Sequence, residues 1–206
     1  MTEILTLVLS SGVGYVVGSI PVGVIVTRLY QKGDLTAVGS GRTGATNVMR
    51  AAGFRAAAIV FAGDFLKGAI AYLAAGVIAG DDPWARLAAV MLAMIGHVYS
   101  PLIGFKGGRG VTTGIGGTML AAPASMLVGF VVGTVVILTT RYVSLGSLIG
   151  SIVTGLLLVG LAVATGAVVW AAWGVLFGAF VVFTHRDNVR RLWNGSERKV
   201  TWRGVK

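Results

Sequence analysis

The chain has 206 residues, of which 55% are hydrophobic and only 12% charged, with a mean hydropathy of +0.86. That charge is about half of what a soluble domain carries, and such hydrophobicity excludes a disordered chain. What remains is an integral membrane protein. The absence of cysteine removes disulfides, thiolate metal sites and cysteine nucleophiles, and two histidines are too few for a His-rich metal site. No metal and no cofactor are expected. Thirty-two glycines, more than twice the ordinary share of about 7%, suit transmembrane helices that approach closely.

In chain order, the first apolar span runs from about Ile4 to Tyr30 and carries Gly18 and Pro21. Glu3 is the only charged side chain before it, and without a basic n-region it is read as a span rather than a signal peptide. A polar, glycine-rich stretch follows, from Gln31 to about Gly53. A second span, about Phe54 to Gly80, contains Asp64 and Lys67. Asp81-Asp82-Pro83 is a turn, and a third span, about Trp84 to Leu102, contains His97. After the basic loop Gly104–Gly110, the long apolar run Val111–Leu138 is interrupted by Pro123. It is read as a short fourth helix to about Leu120 and a fifth from about Ala124. Arg141-Tyr142 makes a turn. Val143–Phe183 holds no charge and is long enough for two spans, broken near Thr165-Gly166. The tail after it, about residues 185–206, is basic.

The charge distribution orients this layout. With the N-terminus outside and seven spans, all 17 basic residues except Lys67 and Arg86 lie in inside segments or the inside tail. The outer loops instead hold Glu3, Asp81 and Asp82. That is the positive-inside pattern. The net charge of +10 is therefore largely topology, and its scatter over short segments argues against nucleic acid as a partner. The expected fold is all-α: one polytopic domain over residues 1–206, a bundle of seven transmembrane helices with the C-terminus cytoplasmic.

Two inside segments carry the chemistry. In Gly39-Ser40-Gly41-Arg42-Thr43-Gly44-Ala45-Thr46-Asn47-Val48-Met49-Arg50, Gly39, Gly41 and Gly44 free backbone amides to approach an anion. Ser40, Thr46 and Asn47 add neutral donors, and Arg42 and Arg50 add charge. A short helix over Ala45–Ala52 would point further amides at the same anion. The spacing also satisfies G-x-G-x-x-G, but a membrane span stands where a nucleotide fold needs a strand. The second segment, Gly104-Phe105-Lys106-Gly107-Gly108-Arg109-Gly110-Val111-Thr112-Thr113, repeats the recipe. Lys106, Gly107, Gly108, Arg109 and Gly110 are its candidate phosphate ligands. Either segment alone also reads as an ordinary cytosolic loop, with its cations as positive-inside anchors.

Charges within spans form the third element. Asp64 and Lys67, three apart, share a helix face. They form a structural pair or, with His97, support the floor of the site. His185-Arg186-Asp187-Asn188 opens the tail at the inner end of the last span. Besides an enzyme, a transporter or a non-catalytic binder of phosphate-bearing anions fits these groups. Their clustering at one membrane face favours the enzyme.

Taken together, the motifs resemble those of the bacterial PlsY-type acyl-phosphate:glycerol-3-phosphate acyltransferases. The likeness runs through Gly18-Ser19-Ile20-Pro21, Gly44-Ala45-Thr46-Asn47, Asp64-x-x-Lys67-Gly68, Gly96-His97 and Phe105-Lys106-Gly107-Gly108. It continues through Thr140-Arg141-Tyr142-Val143-Ser144-Leu145, His185-Arg186-x-Asn188 and Asn194-Gly195-Ser196-Glu197-x-Lys199. The resemblance implies a multi-pass enzyme of the bacterial inner membrane with a cytoplasmic-face active site. Its substrates would be acyl phosphate and glycerol 3-phosphate, its products lysophosphatidic acid and phosphate, and its partner an upstream acyl-phosphate-forming enzyme. By motif position, Ser40, Arg50, His185 and Asn188 would hold or activate glycerol 3-phosphate. Thr46, Asn47 and the loop glycines would cradle acyl phosphate. Two departures stand out: Arg109 replaces the family's usual lysine, and Arg42-Thr43 replaces Asn-Pro.

Overall fold

A computed structural model of the chain describes residues 2–30 and 33–200. Lys32, Arg203 and Lys206, which enter the charge pattern above, lie outside the described residues. The described residues form α-helices and two short 3-10 turns. They divide into two units, residues 2–120 and 121–200.

In the first unit, α1 (Glu3–Ser19) and α2 (Val22–Leu29) together make up the expected first span, as the segment Glu3–Leu29, with a break at Ile20-Pro21. Pro21 causes the break: the residue before a proline is pushed out of the helical region, and Ile20 is extended at φ −60°, ψ 117°. The long α3 (Ala45–Ala79) is interrupted at Gly53, where φ is 84°. Only glycine adopts that conformation without penalty, so the segment before it is the expected short helix and the remainder the second span. Asp82 caps α4 (Pro83–Val98) by accepting the Trp84 amide at 2.9 Å, with Pro83 in the first helical position. A 3-10 turn over Pro101–Ile103 and the glycine loop lead to α5 (Val111–Ala121).

Small residues let these helices meet. Ala71 and Ala75 of α3 and Ala89 and Ala93 of α4 are fully buried together. Gly14 and Gly18 of α1 lie against the Ala89 and Ala93 backbones, leaving no room for a methyl. Without a hydrophobic drive between helices in lipid, this backbone proximity and its dispersion energy hold the bundle.

The second unit contains α6 (Pro123–Thr140), α7 (Val143–Thr165), α8 (Val168–Thr184) and α9 (Arg186–Trp193). Gly129 and Gly133 pack on Gly146 and Gly150, and Gly155 on Gly174, so both α6–α7 and α7–α8 are glycine-lined. The breaks expected at Pro123 and at Thr165-Gly166 are present. The helix α9 is an addition that the sequence reading lacks. Among the described residues, five helical segments are long and apolar enough to cross a membrane: Glu3–Leu29, Ala45–Ala79, Pro83–Ile103, Pro123–Thr140 and Val143–Thr165. The α8–α9 pair, bent by 63°, makes a sixth if counted as one span. At 1.5 Å per residue, α5 is about 16 Å long, short of the ~30 Å hydrocarbon core. Outer faces carry exposed Leu73, Val77, Leu156 and Val163, which suit lipid.

Candidate active site

The Gly39–Arg50 loop is built around Asn47. Its Oδ1 accepts the Ser40 amide at 3.0 Å, and its Nδ2 donates to the carbonyls of Leu35 (3.2 Å), Val38 (3.0 Å) and Arg42 (2.9 Å). Asn47 is 2% exposed. It therefore shapes the loop from within, where the sequence reading has it cradling substrate. Gly39, at φ 59°, lies against Asn47 Oδ1 and the Arg50 side chain, so a methyl there would strike the carboxamide. Gly39, Ser40, Asn47 and Arg50 are thus brought together. Ser40 is exposed, and Gly41, Gly44, Thr46 and Arg50 are half-buried.

The α1–α2 break connects this loop to the second one. Ser100 Oγ donates to the Ser19 carbonyl at 2.6 Å, and Tyr15 Oη donates to the Tyr99 carbonyl at 3.0 Å. Four residues after Ser19, Gly23 packs on the Thr43 carbonyl. Both glycine loops are therefore tied to one short stretch, Ser19–Gly23. In the second loop, Gly104 and Phe105 both take left-handed backbone conformations, at φ 61° each. Lys106 follows and is exposed; Arg109 is half-buried, and Gly107, Gly108 and Gly110 are buried.

Under that loop, Asp64, Lys67 and His97 converge. Lys67 Nζ is 2.9 Å from Asp64 Oδ1, and His97 Nδ1 is 3.4 Å from the same oxygen. The hairpin turn at Gly80–Asp82 sets α3 and α4 antiparallel, which brings positions 64 and 97 level.

In the second unit, His185 and Asn188 are buried, at 2% and 6% exposure. His185 Nδ1 lies 2.8 Å from the Val181 carbonyl. A carbonyl only accepts, so Nδ1 is the donor in this contact. Asn188 Nδ2 donates to Glu197 Oε1 at 2.6 Å, while its Oδ1 has no hydrogen-bond partner among the described residues. Glu197 also accepts from Ser144 Oγ at 2.8 Å and Arg191 Nε at 2.7 Å. Burial alone would push this carboxyl up, but the bonds from Arg191, Ser144 and Asn188 hold it below the usual carboxylate range. The Val200 amide donates to the Arg141 carbonyl at 2.8 Å, closing the tail onto the α6–α7 turn. Sequence reasoning quotes Ser144 and Glu197 as motif residues but gives them no role. Their separation of 53 positions leaves no local signal.

The glycerol-3-phosphate acyltransferase family model matches residues 8–195. A glycerol-3-phosphate acyltransferase of Thermus thermophilus is 42% identical over 187 residues, covering 90% of this chain and 91% of its own. One from Rubrobacter xylanophilus is 40% identical over 201 residues, covering 97% and 96%. Among solved structures, the integral membrane glycerol 3-phosphate acyltransferase PlsY in its glycerol 3-phosphate form superposes with a TM-score of 0.86. It has 36% identity and covers 95% of this chain and 96% of its own. The lysophosphatidic acid form of PlsY gives a TM-score of 0.84 at 35% identity.

Proposed function

The chain belongs to the glycerol-3-phosphate acyltransferase family, and from that premise we propose that it moves a fatty acyl group from acyl phosphate to the 1-hydroxyl of sn-glycerol 3-phosphate. As a member of that family it is a multi-pass membrane acyltransferase of phospholipid synthesis that acylates glycerol 3-phosphate. The acyl-phosphate donor and the lysophosphatidic acid product are our assignment. The observation that carries it is the tethering of both cation-bearing glycine loops to Ser19–Gly23. Two anionic substrates need positioning more than they need a nucleophile, because acyl phosphate is already activated.

In the proposed step, the glycerol 3-phosphate hydroxyl oxygen attacks the acyl carbonyl carbon. The bond from that carbon to the phosphate oxygen breaks, and inorganic phosphate departs. The hydroxyl proton passes to His185 Nε2 or to a substrate phosphate oxygen. Ser40, Arg50, His185 and Asn188 are assigned to glycerol 3-phosphate. Buried Asn188 Oδ1, an acceptor with no hydrogen-bond partner among the described residues, suits a substrate hydroxyl. Thr46, Lys106, Arg109 and the loop amides are assigned to acyl phosphate and to the developing oxyanion, with Asn47 holding the first loop in shape. Seven passes, an outside N-terminus and a cytoplasmic-face site at the bacterial inner membrane are proposed from the positive-inside pattern, α5 counting as a pass together with the loop before it. A supplying acyl-phosphate-forming enzyme follows from the donor.

The test is rapid quenching of single-turnover reactions with labelled palmitoyl phosphate. Direct transfer gives labelled lysophosphatidic acid with no protein-bound label. A chemically competent acyl-enzyme would refute direct attack.

A further inference from the structure

Beneath the second glycine loop lies a buried charged cluster that the proposed step does not use. Asp64 Oδ1 faces Lys67 Nζ at 2.9 Å and His97 Nδ1 at 3.4 Å, and Lys67 Nζ is 3.4 Å from His97 Nδ1. The three side chains are at most 7% exposed. Both charged groups address the same imidazole nitrogen, so the ring's far side, with Nε2, is turned away from them. Gly108 occupies that side: the three atoms that a methyl there would meet first are Nε2, Cε1 and Cδ2 of His97. The backbone repeats the contact. The Gly108 amide donates to the His97 carbonyl at 3.2 Å, and the Gly107 amide to the Val98 carbonyl at 3.0 Å. The two central glycines thus rest on His97 by ring and by backbone, with Lys106 and Arg109 on either side of them.

Stability alone does not account for this arrangement. A buried ion pair is often no better than well-packed apolar side chains of the same volume. Asp64 and Lys67 already neutralise each other at i, i+3, so His97 is not needed for charge balance. What the third member adds is a fixed imidazole orientation under the loop.

We infer that Asp64 and Lys67 are positioning residues that act through the His97 imidazole to hold the Lys106–Arg109 turn in the geometry that receives a substrate phosphate. The inference rests on the acyltransferase reading above only in the identity of that substrate. The cluster acts as the supporting shell behind a ligand set, whose loss loosens binding without removing any ligand.

The discriminating variant is D64L/K67M in the full chain, because it removes both charges and keeps apolar volume. Thermal midpoints are measured in detergent, with and without inorganic phosphate, beside steady-state kinetics. K106A identifies which substrate the loop holds. Expected is a midpoint near wild type, loss of the phosphate-induced shift, and a roughly tenfold or larger rise in KM for the substrate that K106A affects, with kcat within about threefold. A purely structural cluster would leave that KM and the phosphate shift unchanged, and this result overturns the inference. Should D64L/K67M fail to fold, His97→Gln and His97→Ala carry the same test. The glutamine, able to hydrogen-bond in both directions, is expected to reverse most of the KM rise that the alanine causes; equal KM values for the two overturn the inference. If the wild type does not use acyl phosphate, the donor assignment fails, yet the phosphate shift still tests the cluster. A wild type with neither turnover nor a phosphate shift overturns both.

Discussion

The Ser40 amide donates to Asn47 Oδ1 at 3.0 Å, so one carboxamide on the first turn of α3 fixes the backbone of the serine that sequence motifs mark as functional. The two N–H groups of its Nδ2 are shared among three carbonyls. Asn47→Asp turns that donor into a charged acceptor facing those carbonyls. Each buried carbonyl left unsatisfied costs about 1–3 kcal/mol. N47D is therefore expected to lower the thermal midpoint and to abolish turnover. Asn47→Ala should be milder in stability and similar in activity. Calorimetry and phosphate release check both.

Arg50 sits where its side chain passes Gly39, beside the Ser40–Asn47 contact. Arg50→Ala is expected to cut kcat/KM on the order of 100-fold, the scale of a lost charge-assisted phosphate contact. Arg50→Lys should recover only part of it, because an ammonium keeps the charge and loses the fork. Equal activity of R50K and wild type would show that charge alone matters.

Glu197 collects hydrogen bonds from Ser144, Asn188 and Arg191, and its pKa is lowered in the folded state. A depressed folded pKa adds stability that is present above the ordinary carboxylate range and lost as pH falls through the folded value. Glu197→Gln is expected to destabilise the protein by roughly 1–3 kcal/mol at neutral pH. The gap to wild type should close in acid, once the native carboxyl is protonated. Thermal midpoints against pH measure this directly; a gap constant with pH would contradict the assignment.

Two glycines separate packing from propensity. A methyl on Gly68 would overlap the Thr113 carbonyl of α5, whereas Gly12 has nothing within 4 Å. Gly68→Ala is expected to cost about 1–3 kcal/mol, as overpacking does. Gly12→Ala should be neutral or stabilising by up to ~1 kcal/mol, since alanine is the better helix former. Midpoints of the two variants in one detergent compare them.

The helical plan is legible wherever local chemistry marks it. Pro123, Gly166 and the Asp81-Asp82-Pro83 turn punctuate the chain at the positions expected, and Gly53 separates the short helix from the second span. Pro21 is a different case, since a proline also fits within a bent span and so does not by itself mark two helices. The glycine loops are legible as anion sites because glycine and cations cluster there in sequence. What their side chains do is not. Asn47 serves carbonyls as far as 12 residues back, and Ser144 meets Glu197 53 residues on. Such partners are chosen by tertiary packing, which no local period encodes. Helix α9 is hidden for a related reason: its eight residues are too few for a periodic signal and are dominated by charge.

The donor assignment meets its most direct test in purified protein supplied with palmitoyl phosphate and glycerol 3-phosphate, with palmitoyl-CoA as the competing donor. Expected is phosphate release that requires the acceptor, yields lysophosphatidic acid in equal amount, and disappears in Arg50→Ala. Release without acceptor, or lysophosphatidic acid formed from the CoA ester but not from the acyl phosphate, would contradict it.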